Sequence, residues 1–398
     1  MIQRDEYLNF LISWKDHKVI KVVSGIRRCG KSTLFEIYKD YLIQNGVSEE
    51  QLISINFEDA DNEYLCTYKS LYEYIKSKMI PNKKNYIFLD EIQHVEHFEK
   101  AVDSLFIKDN ADVYITGSNA YFMSSELATL LSGRYVELRM LPLSFKEYYG
   151  AIENSKLTKR EIYNMYITNS SFPYTVYLKD KQQIRTYLDG IFNTIVLNDI
   201  VQRNKIADVS MLKSVISFMF DNIGNTTSIK KIADTMTSMN RKISNHTVEN
   251  YLSSMTDSLL MYKVSRYDVK GKQYLQLLDK YYLTDIGLRY YLLGTNNVDK
   301  GHILENIVYL ELLRRGYEIY VGKVGELEVD FVAKDINGNI SYFQVAQTVI
   351  DDNVLKRELN SLESISDHNP KYLLTLDEDI PTSYNGIQKI NALDWLLS

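Results

Sequence analysis

The sequence predicts an α/β protein in three parts: a parallel sheet at the N-terminus, a helical segment, and a smaller α/β domain at the C-terminus. Three observations lead to this fold class. Short β-branched strands alternate with helical segments over the first 150 residues, a glycine loop follows the first strand, and strand and helix periods alternate again near the C-terminus. Such alternation gives a parallel sheet covered on both faces. The predicted strands of the first part are 19–24, 52–57, 86–89, 112–116 and 134–139.

The first strand runs into Gly25-Ile-Arg-Arg-Cys-Gly30-Lys31-Ser32-Thr33, which fits the phosphate-loop pattern G-x-x-x-x-G-K-[ST]. A strand, a glycine loop and a helix N-terminus together hold an anion, because backbone N–H groups and the positive end of the helix dipole face it. Lys31 is expected to reach the β- and γ-phosphates of ATP, and the Ser32 hydroxyl to ligate Mg²⁺. Gly25 and Gly30 leave room for a tight turn and for the approach of phosphate. The predicted nucleotide-binding residues are Gly25, Ile26, Arg27, Arg28, Cys29, Gly30, Lys31, Ser32 and Thr33.

Hydrolysis needs a second element, an apolar strand that ends in a carboxylate, and Tyr86-Ile-Phe-Leu-Asp90-Glu91 supplies it. Asp90 at the strand tip is expected to hold Mg²⁺, and Glu91 to polarise the attacking water as a general base. The next strand is followed by Gly117-Ser118-Asn119. Either Ser118 or Asn119 could sense the γ-phosphate or the water, and either could equally cap the following helix.

An arginine usually stabilises the negative charge that develops on the γ-phosphate during hydrolysis, and two arginines are candidates for this role. Arg134 follows the sensor strand and precedes another strand. Arg203 lies four residues after Asp199, and an ion pair on the surface of a helix already explains that spacing. We therefore favour Arg134, which would require a ring or a dimer if it acts on a neighbouring copy.

Residues 206–290 predict a winged helix-turn-helix, because two helices are followed by a pair of strands. The helices are 228–236 and 244–260, and the strands are 262–267 and 274–278. The exposed face of the longer helix would carry Asn245, His246, Asn250 and Ser253. Between residues 225 and 272, eight basic residues stand against four acidic ones, a balance of +4. Such a module binds double-stranded DNA, docks a protein or serves as a lid, and these roles stay open.

The last hundred residues predict a helix, three strands, a helix and a strand, which is the order of a restriction-endonuclease-like core. In that fold a glutamate, an aspartate and an E/Q-x-K motif gather a divalent metal and activate water. Glu305, Asp330 and Gln344 fall in the corresponding places, but Ala346 stands where the lysine belongs. The sequence therefore predicts a degenerate site used for binding and not for cleavage. The lysines that could substitute from elsewhere are Lys323 and Lys334.

The composition is that of an ordinary globular protein, with 45% hydrophobic and 25% charged residues. The net charge of −6 gives no general nucleic-acid signature, so contact with DNA must come from a local patch. No apolar run approaches the ~18 residues of a membrane helix, and the N-terminus lacks the pattern of a signal peptide. The two cysteines favour a reducing compartment, the cytoplasm. Because Cys29 lies in the phosphate loop, bound ATP is expected to protect it from alkylation.

Taken in order, these motifs resemble a prokaryotic family of AAA-type ATPases, in which a P-loop domain precedes a winged-helix segment and a C-terminal domain of unknown function with an endonuclease-like core. The motifs lie at 25–33, 55–59, 89–91, 116–118, 132–134, 142–145, 199–203, 304–306, 328–331 and 344–345. The resemblance covers nearly the whole chain and implies ATP binding and hydrolysis. We predict domains at 1–150, 151–295 and 296–398. Two roles fit: an ATPase that acts on DNA, and a signalling or defence switch that recognises a protein partner.

Overall fold

The computed structural model describes residues 2–117, 131, 133–152, 156–271, 273–294 and 299–398. The two candidate sensors, Ser118 and Asn119, lie outside these residues, as does residue 132 of the motif that contains Arg134. The chain forms two compact units. The first ends at Pro142 and also includes Asp257–Leu259, and the second comprises Leu143–Thr256 and Leu260–Ser398.

The first unit is built on a parallel sheet. Its strands are β1 (Ile20–Gly25), β2 (Leu52–Asn56), β3 (Asn85–Asp90), β4 (Ala111–Gly117) and β5 (Tyr135–Met140). They are hydrogen-bonded in the order β2-β3-β4-β1-β5, and every pairing is parallel. Strands β1, β3 and β4 are buried along their whole length, as expected for strands covered on both faces. The predicted parallel α/β class is confirmed, and each strand end lies within one residue of its predicted position.

Four described helices belong to this unit. They are α1 (Asp5–Ser13), α2 (Lys31–Gln44), α3 (Tyr68–Lys78) and α4 (Phe98–Phe106). Helix α3 begins after Thr67, whose hydroxyl oxygen accepts a hydrogen bond from the backbone N–H of Ser70. Leu71 and Ile75 on α3 pack with Val102 on α4 and with the apolar side chains of the sheet to form the core. The burial of these side chains stabilises the unit through the hydrophobic effect.

A polar network is buried beside β1 and β4. The ammonium of Lys21 lies 2.5 Å from the Asp112 carboxylate, and both side chains are buried. The Tyr114 hydroxyl donates to the same carboxylate, and the Tyr38 and Tyr114 hydroxyl oxygens are 2.9 Å apart. Burial lowers the pKa of Lys21, although the neighbouring Asp112 acts in the opposite direction. Because a buried charge without its partner is costly, this pair holds β1 in place beside β4.

The second unit begins with helices. These are α5 (Phe145–Ile152), α6 (Lys159–Asn169), α7 (Lys181–Thr194), α8 (Val209–Asp221), α9 (Ile229–Ser238), α10 (Asn245–Asp257), α11 (Ile286–Leu293), α12 (Lys300–Arg314), α13 (Asp352–Glu363) and α14 (Ala392–Leu397). Helix α7 continues as a π-helix over Ile195–Gln202. The helices predicted at 228–236 and 244–260 correspond to α9 and α10.

The second unit also contains a mixed sheet of eight strands. They are β6 (Met261–Asp268), β7 (Gln273–Leu283), β8 (Glu318–Val324), β9 (Leu327–Lys334), β10 (Ile340–Ala346), β11 (Lys371–Thr375), β12 (Thr382–Tyr384) and β13 (Ile387–Asn391). Their order is β12-β13-β11-β10-β9-β8-β6-β7. Strands β6 and β7 are the predicted wing, and β6 pairs in parallel with β8 at Arg266↔Val321.

This pairing distinguishes the observed arrangement from the predicted one. The sequence places a domain boundary between residues 295 and 296, yet one sheet contains strands from both sides of that position. An unpaired strand edge exposes backbone donors and acceptors, and β8 satisfies those of β6 at Arg266–Asp268. The β6–β7 hairpin is therefore part of a larger sheet.

Two helical glycines in the second unit allow a matched test of this packing. A Cβ at Gly287 would lie 2.4 Å from the backbone Cα of Ser170, whereas a Cβ at Gly190 would meet nothing within 4 Å. We expect Gly287→Ala to lower the free energy of unfolding by ~1–3 kcal/mol through overpacking. Gly190→Ala should raise it by roughly 0.5–1 kcal/mol, because alanine favours a helix. Urea unfolding of both variants tests this, and equal stabilities would contradict the packing of α11.

Candidate functional site

The phosphate loop connects the end of β1 to the start of α2. Gly25 ends the strand and has φ 155°, while Gly30 precedes the helix with φ 106°. A Cβ at Gly25 would lie 2.3 Å from the carbonyl oxygen of Met140, the last residue of β5. Arg28, between the two glycines, adopts a left-handed conformation with φ 66°. The loop therefore makes a tight turn against the neighbouring strand, and only glycine fits at its first position.

Arg4 fixes the position of this loop, a role that no local pattern in the sequence indicated. Its guanidinium donates to the Cys29 carbonyl oxygen at 3.0 Å and to the Leu141 carbonyl oxygen at 2.7 Å. It also lies over the Tyr7 ring, 4.8 Å from the ring centre. The side chain is buried, so these charge-assisted contacts are shielded from water. Arg4 thus ties the middle of the phosphate loop to the chain that follows β5.

Lys31 is the first residue of α2, and its ammonium turns back into the loop. It donates to the carbonyl oxygens of Gly25 at 3.0 Å and Ile26 at 3.4 Å. The Glu91 carboxylate lies 3.6 Å from the same ammonium. These contacts place a buried cation and a carboxylate together at the end of β1, where the loop also turns. The two residues predicted to act at the γ-phosphate are therefore neighbours.

Asp90 and Glu91 lie where β3 ends, and Thr116 on β4 holds both. The Thr116 hydroxyl donates to the Asp90 carboxylate and accepts a hydrogen bond from the Glu91 N–H at 2.8 Å. The Ser32 hydroxyl forms a further hydrogen bond with Asp90. Burial raises the pKa of Asp90, although the hydrogen bonds from Ser32 and Thr116 act in the opposite direction. Thr116 is a functional candidate that the sequence analysis missed. It could have been recognised as a polar side chain near the end of a strand that neighbours the strand of the acidic pair.

The side chains at the end of β3 fit a magnesium ion. Mg²⁺ prefers hard oxygen ligands and keeps several waters, so it binds few protein groups. A hydroxyl from Ser32 and a carboxylate from Asp90 meet here directly. Such a pair could hold the ion beside bound phosphate.

The other loop residues point in different directions. Ile26 and Cys29 are buried, whereas Arg28, Ser32 and Thr33 are exposed. Arg27, also a loop residue, makes an ion pair with Glu58 at 3.1 Å.

The structure does not bring Arg134 to this loop. Arg134 precedes β5 at the end opposite Met140, and its carbonyl oxygen accepts a hydrogen bond from the Ile20 N–H at the start of β1. The five residue steps of β1 from Ile20 to Gly25 separate it from the loop by roughly 16 Å. Its guanidinium lies 3.6 Å from the Asp103 carboxylate. The competing Arg203 belongs to the second unit. It follows a π-helix that contains Asp199, so the two residues do not share the regular α-helix that their spacing suggested.

The residues predicted as a degenerate nuclease-like site meet in the second unit, around a lysine that the sequence analysis did not select. The Lys280 ammonium on β7 lies 3.0 Å from the Glu305 carboxylate, 2.7 Å from Glu328 and 3.9 Å from Asp330. The Tyr282 hydroxyl donates to Glu305 at 2.5 Å. Lys280 could have been recognised in the sequence as the single lysine of a largely apolar, tyrosine-rich strand.

Gln344 completes the group from β10. Its side-chain oxygen accepts from the Asp330 N–H at 3.3 Å, and its amide donates to Glu358 at 2.8 Å. Burial and the nearby Glu305 raise the pKa of Asp330 well above its usual range. Burial alone would lower the pKa of Lys280, but the surrounding carboxylates outweigh it and raise the pKa.

The parallel sheet, the glycine loop and the acidic pair define a P-loop ATPase domain of the AAA type. A family model described as an AAA domain matches residues 17–149, and a second, described as a domain of unknown function, matches 160–299. An uncharacterized protein of Haemophilus influenzae is 42% identical over 400 residues, which are 100% of this chain and 99% of that protein. The uncharacterized protein MJ1544 of Methanocaldococcus jannaschii is 34% identical over 338 residues, or 79% of this chain and 71% of that protein. The chain belongs to the family of these two proteins.

Solved structures give more distant likenesses. The Walker-type ATPase PABY2304 of Pyrococcus abyssi is 14% identical, with coverage of 73% of this chain and 96% of that chain and a TM-score of 0.48. AMPPCP-bound DnaA from Aquifex aeolicus is also 14% identical, with coverage of 63% and 86% and a TM-score of 0.32. Scores this low carry no functional inference. Among the described residues, no helix has both the length and the apolar character needed to cross a membrane.

The two cysteines should differ in reactivity. Cys29 is completely buried, and burial raises the pKa of its thiol, although Lys31 and Arg4 oppose the shift. Cys66 is partly exposed. Since the protein itself shields Cys29, its labelling cannot report on ATP as the sequence suggested. We expect iodoacetamide to modify Cys66 and to spare Cys29 with and without Mg·ATP, while both react in denaturant. Mass spectrometry of the peptides measures this, and equal native rates would contradict the buried loop.

Proposed function

We propose that this protein binds Mg·ATP at Gly25–Thr33 and hydrolyses it. The observation that carries the proposal is the contact of Thr116 with both acids at the end of β3. Phosphate, metal and water must meet within a few ångströms in phosphoryl transfer, so positioning contributes most of the catalysis. One hydroxyl that holds Asp90 and Glu91 together supports this type of positioning.

Each side chain then has a role that follows from its contacts. Lys31, now bound to loop carbonyl oxygens, would exchange them for the β- and γ-phosphate oxygens. Ser32 and Asp90 would hold Mg²⁺, which neutralises phosphate charge when bound. Glu91, next to the Lys31 ammonium, is placed to take a proton from the attacking water. Arg134 lies too far along the sheet to assist its own loop, so we assign it a role only toward ATP bound by another copy.

We further propose that nucleotide state is coupled to binding of double-stranded DNA through the winged-helix segment. Support comes from α10, where four polar residues are exposed on one face as the sequence predicted. They are Asn245, His246, Asn250 and Ser253. A polar recognition helix of this kind contacts base edges in the major groove.

A specific observation favours a protein partner as the second candidate. Part of the basic character of the segment is already used within the chain. Arg241 donates to Ser214, and Lys263 lies 2.9 Å from Asp279. Arg266 lies 3.7 Å from Glu328. These cations are less available to neutralise DNA phosphates, and affinity for DNA depends strongly on that neutralisation.

ATP hydrolysis, measured with and without duplex DNA, should require both Lys31 and Glu91. Lys31→Ala should lower hydrolysis by ~100-fold or more, because it removes the cation that faces the transferred phosphate. Glu91→Gln should lower it by ~100-fold while ATP still binds, since only the base is lost. Turnover by either variant at the wild-type rate would contradict the site.

The response to DNA separates the two coupled functions. Wild-type hydrolysis that rises with duplex DNA and loses this stimulation as salt increases supports DNA coupling. Hydrolysis that needs Lys31 and Glu91 but ignores DNA supports a switch with a protein partner.

Thr116→Val provides a test of positioning with little change in shape. We expect kcat to fall about tenfold, because the hydrogen bond to the Asp90 carboxylate and the acceptor of the Glu91 backbone N–H are both lost, while KM for ATP changes little. Thr67→Val is the matched control, since its hydroxyl only caps α3 and its loss should lower stability without changing kcat. An unchanged kcat in folded Thr116→Val protein would remove Thr116 from the mechanism.

A further inference from the structure

We propose that Lys280 is a built-in cation that takes the place of a divalent metal among Glu305, Glu328 and Asp330. The sequence predicted that Glu305 and Asp330 belong to a metal-binding core. In the structure an ammonium lies between them and Glu328 at 2.7–3.9 Å. The residues present therefore do not fit a metal as long as Lys280 stands there.

The positions of these oxygens set the ammonium against a metal. A divalent ion bound by these carboxylates would lie about 2.0–2.6 Å from their oxygens. One oxygen of Glu305 and one of Glu328 already contact the Lys280 nitrogen, at 3.0 Å and 2.7 Å, so a metal that shared them would stand only a few ångströms from the ammonium. The two like charges would repel each other strongly at that separation. The ammonium therefore opposes the binding of a metal at these oxygens.

Other groups of the chain also donate hydrogen bonds to the carboxylates of the cluster. Glu305 accepts from the Tyr282 hydroxyl as well as from Lys280. Asp330 accepts from the Val345 N–H at 2.8 Å. Oxygens that would otherwise bind a metal are thus occupied by groups of this chain. Lys280 itself is only 3% exposed, so the ammonium is shielded from a bulky phosphodiester.

The cation also holds together parts that are distant in the sheet. Lys280 and Tyr282 lie on β7 at the sheet edge, whereas Glu328 and Asp330 lie on β9, with β8 and β6 between them in the hydrogen-bonding order. Glu305 lies on α12. A single ammonium therefore fastens the β6–β7 hairpin to the C-terminal strands and to this helix.

The test replaces Lys280 by methionine, which keeps most of the length of the side chain and removes its charge. Lys280→Met leaves buried carboxylates without their cation, and its Tm should fall on the order of 10 °C. The variant should gain a binding site for Mn²⁺, and millimolar Mn²⁺ should restore much of the lost Tm. Tb³⁺ should bind there too, with luminescence excited through Tyr282 beside Glu305.

Two controls isolate the effect. Adding Asp330→Asn to Lys280→Met should abolish the gained luminescence, because a metal ligand is lost. Lys389→Met is the matched variant, since Lys389 is also buried, between Asp377 and Asp379, outside this cluster. It should lose stability without any Tb³⁺ or Mn²⁺ response that depends on Asp330. Nucleotide is omitted so that the phosphate loop contributes equally to every sample.

Mn²⁺ binding by the wild-type protein tests the proposal even if Lys280→Met fails to fold. Its Mn²⁺ binding should be the same with and without Asp330→Asn, because Lys280 already fills the position. Mn²⁺ binding by wild type that Asp330→Asn removes would overturn the proposal and restore a metal site. A folded Lys280→Met variant that gains no metal binding would overturn it as well.

Discussion

The close approach of the Gly25 backbone to the Met140 carbonyl oxygen is the constraint on which the nucleotide site depends. At 2.3 Å from any Cβ, that oxygen leaves no choice of side chain where β1 enters the loop. The loop turns only because β5 lies directly beside β1, and Arg4 maintains this by joining Cys29 to Leu141. The phosphate loop is therefore not a self-contained motif, since its shape depends on residues more than a hundred positions away. The sequence pattern of the loop specifies the residues expected to face the ligand. The residues that support the loop from behind come from other parts of the chain.

The acidic pair follows the same principle. Parallel strands end at one edge of the sheet, so β3 and β4 deliver Asp90 and Thr116 to the same place as the loop between β1 and α2. Burial opposes the ionised form of Asp90, and the hydroxyls of Ser32 and Thr116 oppose that effect. The carboxylate is thus kept in place by weak neutral donors that a metal ion can replace. A stronger partner, such as an arginine, would compete with Mg²⁺ for the same oxygens.

The parallel α/β class, the strand positions and the proximity of Lys31 to Glu91 could be predicted, because they depend on local periodicity and on one short motif. Arg4 could not be predicted, since its partners lie 25 and 137 residues away and leave no periodic trace. Lys280 was missed for a related reason: its role depends on contacts between β7 and β9, which two other strands separate in the sheet order. Arg134 was favoured for its place in the sequence between two strands. That order did not reveal that the residue lies at the N-terminal end of β5, whereas the site lies at the C-terminal ends.

Both units place a buried lysine against carboxylates, and the difference between them separates an exchangeable site from a fixed one. Lys31 donates to two neutral backbone carbonyl oxygens and has a single carboxylate at 3.6 Å, so negatively charged phosphate oxygens can replace these partners. Lys280 is buried among three carboxylates, two of which are themselves buried, and removing it would leave those two anions without a counter-charge. The first lysine is suited to meet a charged ligand that arrives and leaves. The second lysine is part of the protein core, where it neutralises the carboxylates permanently. A bound metal would neutralise them only while it is present.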